Sequence, residues 1–495
     1  MCVSLSLPPP PLMEDTLPLL RGRISLDDAM KEDIDIIREL SYYEKRDQFW
    51  IHLYTQRQQI IEVVSQHLNI QQSDFSLGEV KEWIHGSFNA CIPVHILQSP
   101  RTSDLPTRVI IRFPLPYKVG EAFCHGNIDE KLRSEAATRA LWLVRRAVSW
   151  IYGRALVPYV PHSRYHLVDF GYLILEYIED GKMLSDTWKE YRHDSKRRAN
   201  LFRDLSRIML SLAKLPFPRI GSWTIDDCGV LKLANRPLTL LLHQLENAEI
   251  GTGIPRDRTY TSIEPYLLDL IACHDNRLRH QPNSIHHQND GEQQLAALTA
   301  MRALLPKFMD SRFREGPFVY SLTDLHQSNV FVDQDWHITG LIDLEWACSR
   351  PIGMLGPPDW LSDRSLEEIT FHFNDYSSLH DEFVDSVERE GLELYHTNFS
   401  AEVMRASWET GSFWYCRALD SPTTLLALYI DHLQPRFAKL STNAWAEFSH
   451  LLMALWDVNS RCFVSSKIKE QEQYANQVRE IFSKSLNGES NPEAR

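Results

Sequence analysis

The stretch SLTDLHQSNVFVDQDWHITGLIDLEW, residues 321–346, is the one whose reading decides the fold. Asp324, Asn329 and Asp343 follow one another in it, five and then fourteen residues apart. Val330, Phe331 and Val332 form a β-favouring run, Asp333-Gln334-Asp335 supplies turn formers, and Ile338 to Ile342 returns as a second apolar run. This is the pattern of a tight hairpin. It brings Asn329 and Asp343 to the same end, where one cation can bridge them. Phosphoryl transfer needs such a set: a carboxylate to orient a hydroxyl, then an amide oxygen and a second carboxylate to hold Mg²⁺ on the phosphates.

Upstream, residues 24–70 carry apolar positions three and four apart, with Ser25 and Asp27 as candidate caps, and read as helices. A strand-like stretch from Val80 to Leu97 is interrupted at His85-Gly86-Ser87-Phe88-Asn89. A second strand runs from Arg108 to Phe113, an amphipathic helix from Lys131 to Val148, and a short apolar strand from Tyr172 to Ile178. Strand, turn, strand, helix, strand is the order of a kinase-like N-lobe. A nucleotide-covering turn needs amides that approach phosphates closely, which singles out Gly86 and Ser87. Arg112 stands where a kinase carries the phosphate-holding Lys, and Glu135 on the following helix is its natural partner, ahead of Glu130. A strand-edge Arg in a surface ion pair is the alternative. The backbone near Glu176 and Ile178 stands where a segment between lobes reads the nucleotide base, although a buried strand without ligand contact gives the same pattern.

Asp324-Leu325-His326-Gln327-Ser328-Asn329 and Ile342-Asp343-Leu344-Glu345 resemble the D-L-H-x-x-N and I-D-x-E signatures of the aminoglycoside phosphotransferase family, and the chain is most similar to its fungal branch of unassigned substrate. The resemblance implies an α+β, two-lobed protein-kinase-like fold, with a small β-rich N-lobe and a large, mainly helical C-lobe carrying a helical insertion. It implies Asp324 as catalytic base and Asn329 and Asp343 as Mg²⁺ ligands. His326 and Glu345 flank this trio and are candidates for a supporting shell. Many relatives carry His-x-Asp in the catalytic loop, where this chain has Leu322-Thr323-Asp324.

The expected division is a Pro-rich, disordered tail (1–23), an N-terminal helical extension (24–75), the N-lobe (76–180), the C-lobe (181–486) with the catalytic loop at 321–346, and a disordered tail (487–495). The chain has 495 residues, 43% hydrophobic and 24% charged, a globular composition long enough for two or three cores. The start, MCVSLSLPPPPLMEDTLPLL, lacks the basic opening of a signal peptide. No run of about 18 apolar residues occurs, so a membrane span is not expected. The net charge of −14 disfavours nucleic acid as a partner. Eight scattered cysteines without a C-x-x-C pair fit reduced thiols in the cytoplasm. No G-x-S-x-G or Walker A pattern occurs, and His286-His287 lacks partners at metal-ligand spacing. Trp346, Trp360, Trp408 and Trp414 are assigned to the C-lobe core. The expected activity is transfer of phosphoryl from ATP or GTP, with Mg²⁺, to a hydroxyl of a small molecule. A protein substrate is disfavoured because Leu344-Glu345-Trp346, not Phe-Gly, follows Asp343. The alternative is a silent kinase-like protein that binds nucleotide or a partner without turnover. Oligomeric state is not legible.

Overall fold

The computed structural model describes residues 16–147, 168, 170–226 and 230–486. The four prolines, Cys2 and the tail from 487 lie outside these residues. Thr16–Pro18, within the expected tail, forms strand β1 and pairs with β2 (Arg23–Ser25). Ser25 caps the short helix α1 (Leu26–Ala29), accepting from the Asp28 amide at 3.1 Å. The cap of α2 (Ile36–Thr55) is Asp35, not Asp27, and α3 (Arg57–Leu68) follows at once.

A five-stranded antiparallel sheet comes next. It contains β3 (Phe75–Leu77), β4 (Ile84–His85), β5 (Asn89–Ile96), β6 (Arg108–Pro114) and β7 (Leu173–Glu176), in the order β3-β5-β6-β7 with β4 also on β5. Val80–Glu82, expected as strand, is instead a 3-10 turn. Glu79 and Glu82 close a reciprocal capping box there, satisfying amides that a ladder would otherwise take up. Helix α4 (Asn127–Ala147) starts four residues before the expected Lys131.

Side chains alternate across a strand, so the sheet has two distinct faces. Ile92, Val94, Val109 and Ile111 pack outward against Phe49, Leu53, Ile60 and Val64 of α2 and α3. Asn89, Cys91 and Arg112 alternate with them and occupy the other face. The N-terminal helices therefore supply one wall of the N-lobe core.

The C-lobe begins with β8 (Lys182–Met183), α5 (Leu184–Tyr191) and α6 (Ser195–Ala213). The region expected as a mainly helical insertion then opens into a two-stranded ribbon, β9 (Ser222–Ile225) and β10 (Leu231–Asn235), where Thr224 and Ile225 supply β-branched residues. Helices α7 (Leu240–Asn247), α8 (Ile263–His280) and α9 (Gln288–Phe308) complete the insertion. Next come β11 (Phe318–Leu322), β12 (Val330–Val332), β13 (Ile338–Leu341) and β14 (Ala347–Pro351). The expected hairpin is β12-β13, and β8 joins it through Phe331↔Met183. Gly181 makes that junction possible. Its φ is +96°, and a Cβ there would lie 2.8 Å from the Val332 carbonyl. The chain closes with α10 (Leu366–Phe371), α11 (Phe373–Tyr395), α12 (Phe399–Thr410), α13 (Ser412–Asp420), α14 (Leu425–Leu428), α15 (Thr442–Met453) and α16 (Ser460–Leu486). Trp360, Trp414 and the partly buried Trp408 belong to the C-lobe core, but Trp346 packs its ring against Phe88 of the N-lobe at 4.7 Å. The architecture is the two-lobed, protein-kinase-like α+β fold.

Leu53 is fully buried between α2 and the sheet. Leu53→Ala is expected to cost about 2–4 kcal/mol in urea unfolding. A loss under about 0.5 kcal/mol would mean that the extension is not part of the N-lobe core.

Candidate functional site

Strand β11 leads into the catalytic loop through its pairing with β14, Leu322 lying opposite Ala347. Thr323 extends that link, its amide and hydroxyl both donating to the Trp346 carbonyl. The loop is thus tied to the segment bearing Asp343 by Thr323, the residue after Leu322, which stands where many relatives carry His. A 3-10 turn, Gln327–Asn329, follows. His326 caps it by accepting from the Ser328 amide at 3.3 Å, so His326 has a local structural bond.

The Asn329 side chain donates from Nδ2 to the Asp324 carbonyl at 2.9 Å and to Asp324 Oδ2 at 3.2 Å. The amide of Ile342 donates to the Asn329 carbonyl at 3.0 Å, setting Asp343 beside it. Asp343 adopts φ +54°, the left-handed region that Asp tolerates better than most residues. Asp324, Asn329 and Asp343 line one small recess.

Behind the recess lies a cluster of buried charges. Arg112 donates from Nη1 to Asp343 Oδ1 at 2.5 Å and from Nη2 to Glu345 Oε2 at 3.1 Å and to Glu135. The expected Arg112–Glu135 pair forms, in the interior and not at a strand edge. Glu130 is engaged elsewhere, with Arg236 at 2.8 Å. Lys131, outside any recognised motif, and Asn89, at the end of the Gly86-Ser87 turn, complete the cluster. Lys131, fully buried, bonds Glu345 Oε1 and Asn89 Oδ1, both at 2.7 Å. Asn89 in turn donates to Glu345 at 3.4 Å. Lys131 precedes Glu135 by four residues, which puts both on one helix face, and this spacing is the only sequence signal for it.

Asn89 closes the Gly86-Ser87-Phe88 turn, in which the Gly86 amide donates to the Asn89 carbonyl at 2.8 Å. Ser87 is exposed at the tip, while Phe88 rests on Trp346. The turn therefore sits over the segment bearing Asp343. Glu176 and Ile178 lie farther along the sheet, where the chain crosses between lobes. Glu176 borders a cavity of about 600 Å³ that also touches Leu344, and Ile178 rests on Gly340.

The charges shape one another. Burial would raise the Glu345 pKa, but Lys131 and Arg112 outweigh it and hold the carboxyl far below its usual range. Withdrawal from water, then the Glu345 and Asp343 charges, push Asp324 up to about 7. Withdrawal from water and then the Glu345 charge push Asp343 up to about 6, against the pull of Arg112. This electronegative recess suits a divalent cation. Asn329 commits its Nδ2 to Asp324, which leaves its Oδ1 as a hard oxygen donor beside Asp343. Among the described residues no group of three or more His, Cys, Asp or Glu forms a metal cage. Two protein oxygens suit Mg²⁺, which is commonly held by one or two carboxylates together with substrate phosphates.

Residues 145–354 match a family model described as the phosphotransferase enzyme family, APH. The chain resembles the aminoglycoside phosphotransferase family over this stretch, which supports a phosphotransferase of kinase-like type. The match includes Glu176, Ile178, Asp324, Asn329, Asp343 and Glu345, whereas Gly86, Ser87, Arg112 and Glu135 precede it. No curated protein matches the chain.

Lys131→Met is expected to cost about 3–5 kcal/mol, because it leaves the buried Glu345 Oε1 without its cation. Adding Glu345→Gln should recover part of that loss, and additive losses in a double-mutant cycle of urea midpoints would refute the coupling. The raised Asp324 pKa also sets a pH dependence. A carboxyl more basic folded than unfolded stabilises the protein below about pH 4, and this contribution is lost as pH rises through about 7. In EDTA, Asp324→Asn should therefore melt higher than wild type at pH 8, by on the order of 1–2 kcal/mol, with the gap closing towards pH 4. A gap that does not change with pH would contradict this.

Proposed function

We propose that the protein transfers a phosphoryl group from ATP or GTP to a hydroxyl of a small molecule. The observation that carries this is the convergence of Asp324, Asn329 and Asp343 on one recess, backed by the Arg112–Glu135 pair. Asp324 orients the acceptor hydroxyl and takes its proton, a role suited to a carboxylate with a pKa near neutrality. The acceptor oxygen forms the new bond to the γ-phosphorus as the bridging β–γ P–O bond breaks, and the nucleoside diphosphate leaves with that electron pair. Asn329 Oδ1 and Asp343 would hold Mg²⁺, which when bound neutralises charge on the phosphates.

Arg112, with the Gly86-Ser87 turn above it, is assigned to the phosphate end of the nucleotide. The backbone near Glu176 and Ile178 is assigned to the base. Glu135 fixes Arg112, Glu345 fixes both buried cations, and His326 shapes the loop. A cytoplasmic location fits the free thiols of the described residues, including buried Cys273 and Cys348. No helix of the described residues is long and apolar enough to cross a membrane.

Thermal unfolding with Mg-ATP and Mg-GTP tests this directly. A nucleotide at a hundred times its dissociation constant should add roughly 2.7 kcal/mol to the folded state. That gain should require Mg²⁺ and vanish in Asp343→Asn, while Asp324→Ala should bind nucleotide but lose transfer. The absence of any shift with either nucleotide would overturn the assignment.

A further inference from the structure

A second cavity, of about 320 Å³, opens on the C-lobe side of the catalytic loop and reaches Asp324. Met209, Leu212, Leu355 and Trp360 form the apolar part of its walls, the rest being polar. Trp360 is anchored to the catalytic loop, its indole N–H donating to the Leu325 carbonyl at 2.6 Å. The wall therefore holds a fixed position beside Asp324.

The charges on this wall decide what it admits. Three arginines line it: Arg350, Arg364 and Arg417. Arg350 is neutralised by Asp420, with Nη1 to Oδ2 at 3.0 Å. Arg417 is neutralised by Asp359, at 2.8 Å. Arg364 is half-buried and has no ion pair or hydrogen-bonding partner among the described residues. Once the two pairs are set aside, Asp324 and Arg364 are the remaining opposite charges on the lining, apart from the titratable ring of His326. An amino sugar or other polycation needs several uncompensated carboxylates, and this cavity offers only the one assigned to the chemistry. A guanidinium fork without a partner matches a carboxylate.

Resting on the phosphotransferase assignment above, we propose that this cavity is the acceptor site and that the acceptor is a small hydroxy acid. Its hydroxyl meets Asp324, its apolar body lies along Leu355 and Trp360, and its carboxylate pairs with Arg364. The hydroxyl proton passes to Asp324 and the oxygen takes the phosphoryl group, giving a phosphorylated acid and a nucleoside diphosphate.

The test uses matched probes with Mg-ATP: 6-hydroxyhexanoate, 6-hydroxyhexanamide and 6-aminohexan-1-ol, and the corresponding series built on 4-(hydroxymethyl)benzoate. Release of ADP above the acceptor-free rate is measured for the full chain. The acids should be preferred over the amides and amines in kcat/KM by about tenfold or more, the range of one charge-assisted hydrogen bond. Arg364→Gln should raise KM for the acids by a similar factor with a much smaller change in kcat, and should leave KM for the amides little altered. Preference for the amines, no turnover of either acid by a protein that Mg-ATP stabilises, or an unchanged acid KM in Arg364→Gln would each overturn the proposal. Failure of Mg-ATP to stabilise the protein would instead overturn the phosphotransferase assignment on which it rests.

Discussion

The structure depends on compensating two cations buried where the lobes meet. Arg112 and Lys131 lie out of water between the lobes, and an unpaired charge there is costly by several kcal/mol. Each cation draws partners from separate elements. Arg112 comes from β6, Glu135 and Lys131 from α4, Asn89 from the start of β5, and Asp343 and Glu345 from the segment after β13. Moving any one of these elements alone would leave a buried charge without its counterion. Sheet, helix and catalytic segment are consequently held as a set.

The same compensation tunes the carboxylates of the recess. Lys131 and Arg112 keep Glu345 ionised in the interior, and its fixed negative charge raises the pKa of both Asp324 and Asp343. The recess therefore accumulates more negative character than its own carboxylates comfortably carry. A cation held at Asn329 and Asp343, as proposed, would relieve that repulsion, since a bound ion is the largest local charge in such a site. Charges from both lobes thus bear on the recess of Asp324, Asn329 and Asp343, which ties its electrostatics to the way the lobes meet.

The loop and hairpin at 321–346 were legible in the sequence because their signals are local. Asp324, Asn329 and the hairpin lie within a few turns of chain, and period-two patterning fixes where Asp343 returns. The N-lobe sheet was legible in outline for the same reason, but Val80–Glu82 was not. Apolar and charged residues there look strand-like until the Glu79–Glu82 capping box is seen to satisfy their amides. Lys131 is the instructive omission. On a helix, Lys four residues from Glu reads as an ordinary solvent-exposed pair, and only the tertiary arrival of Glu345 and Asn89 makes it an interior charge. The N-terminal helices were legible as helices but not as one wall of the sheet. That role follows from the alternation of β5 and β6 meeting the apolar stripes of α2 and α3. The link from this segment to the C-lobe, such as Asn283 donating to the Ile34 carbonyl at 2.7 Å, is carried by single polar contacts that no periodicity announces.

Arg112 in place of the usual Lys has a physical reason within this cluster. A lysine presents its donors from a single ammonium nitrogen, whereas three carboxylates converge on Arg112 from two directions. The guanidinium divides the task, with Nη1 turned to Asp343 and Nη2 to Glu135 and Glu345. The planar fork is rigid, so engaging the two glutamates also fixes where Nη1 meets Asp343. A lysine able to reach Glu135 would leave Glu345 to Lys131 alone and Asp343 without a cationic neighbour. The departure from Lys is thus coupled to Glu345, the carboxylate two residues beyond Asp343. With Glu345 buried behind Asp343, a second cation and a forked one together balance it.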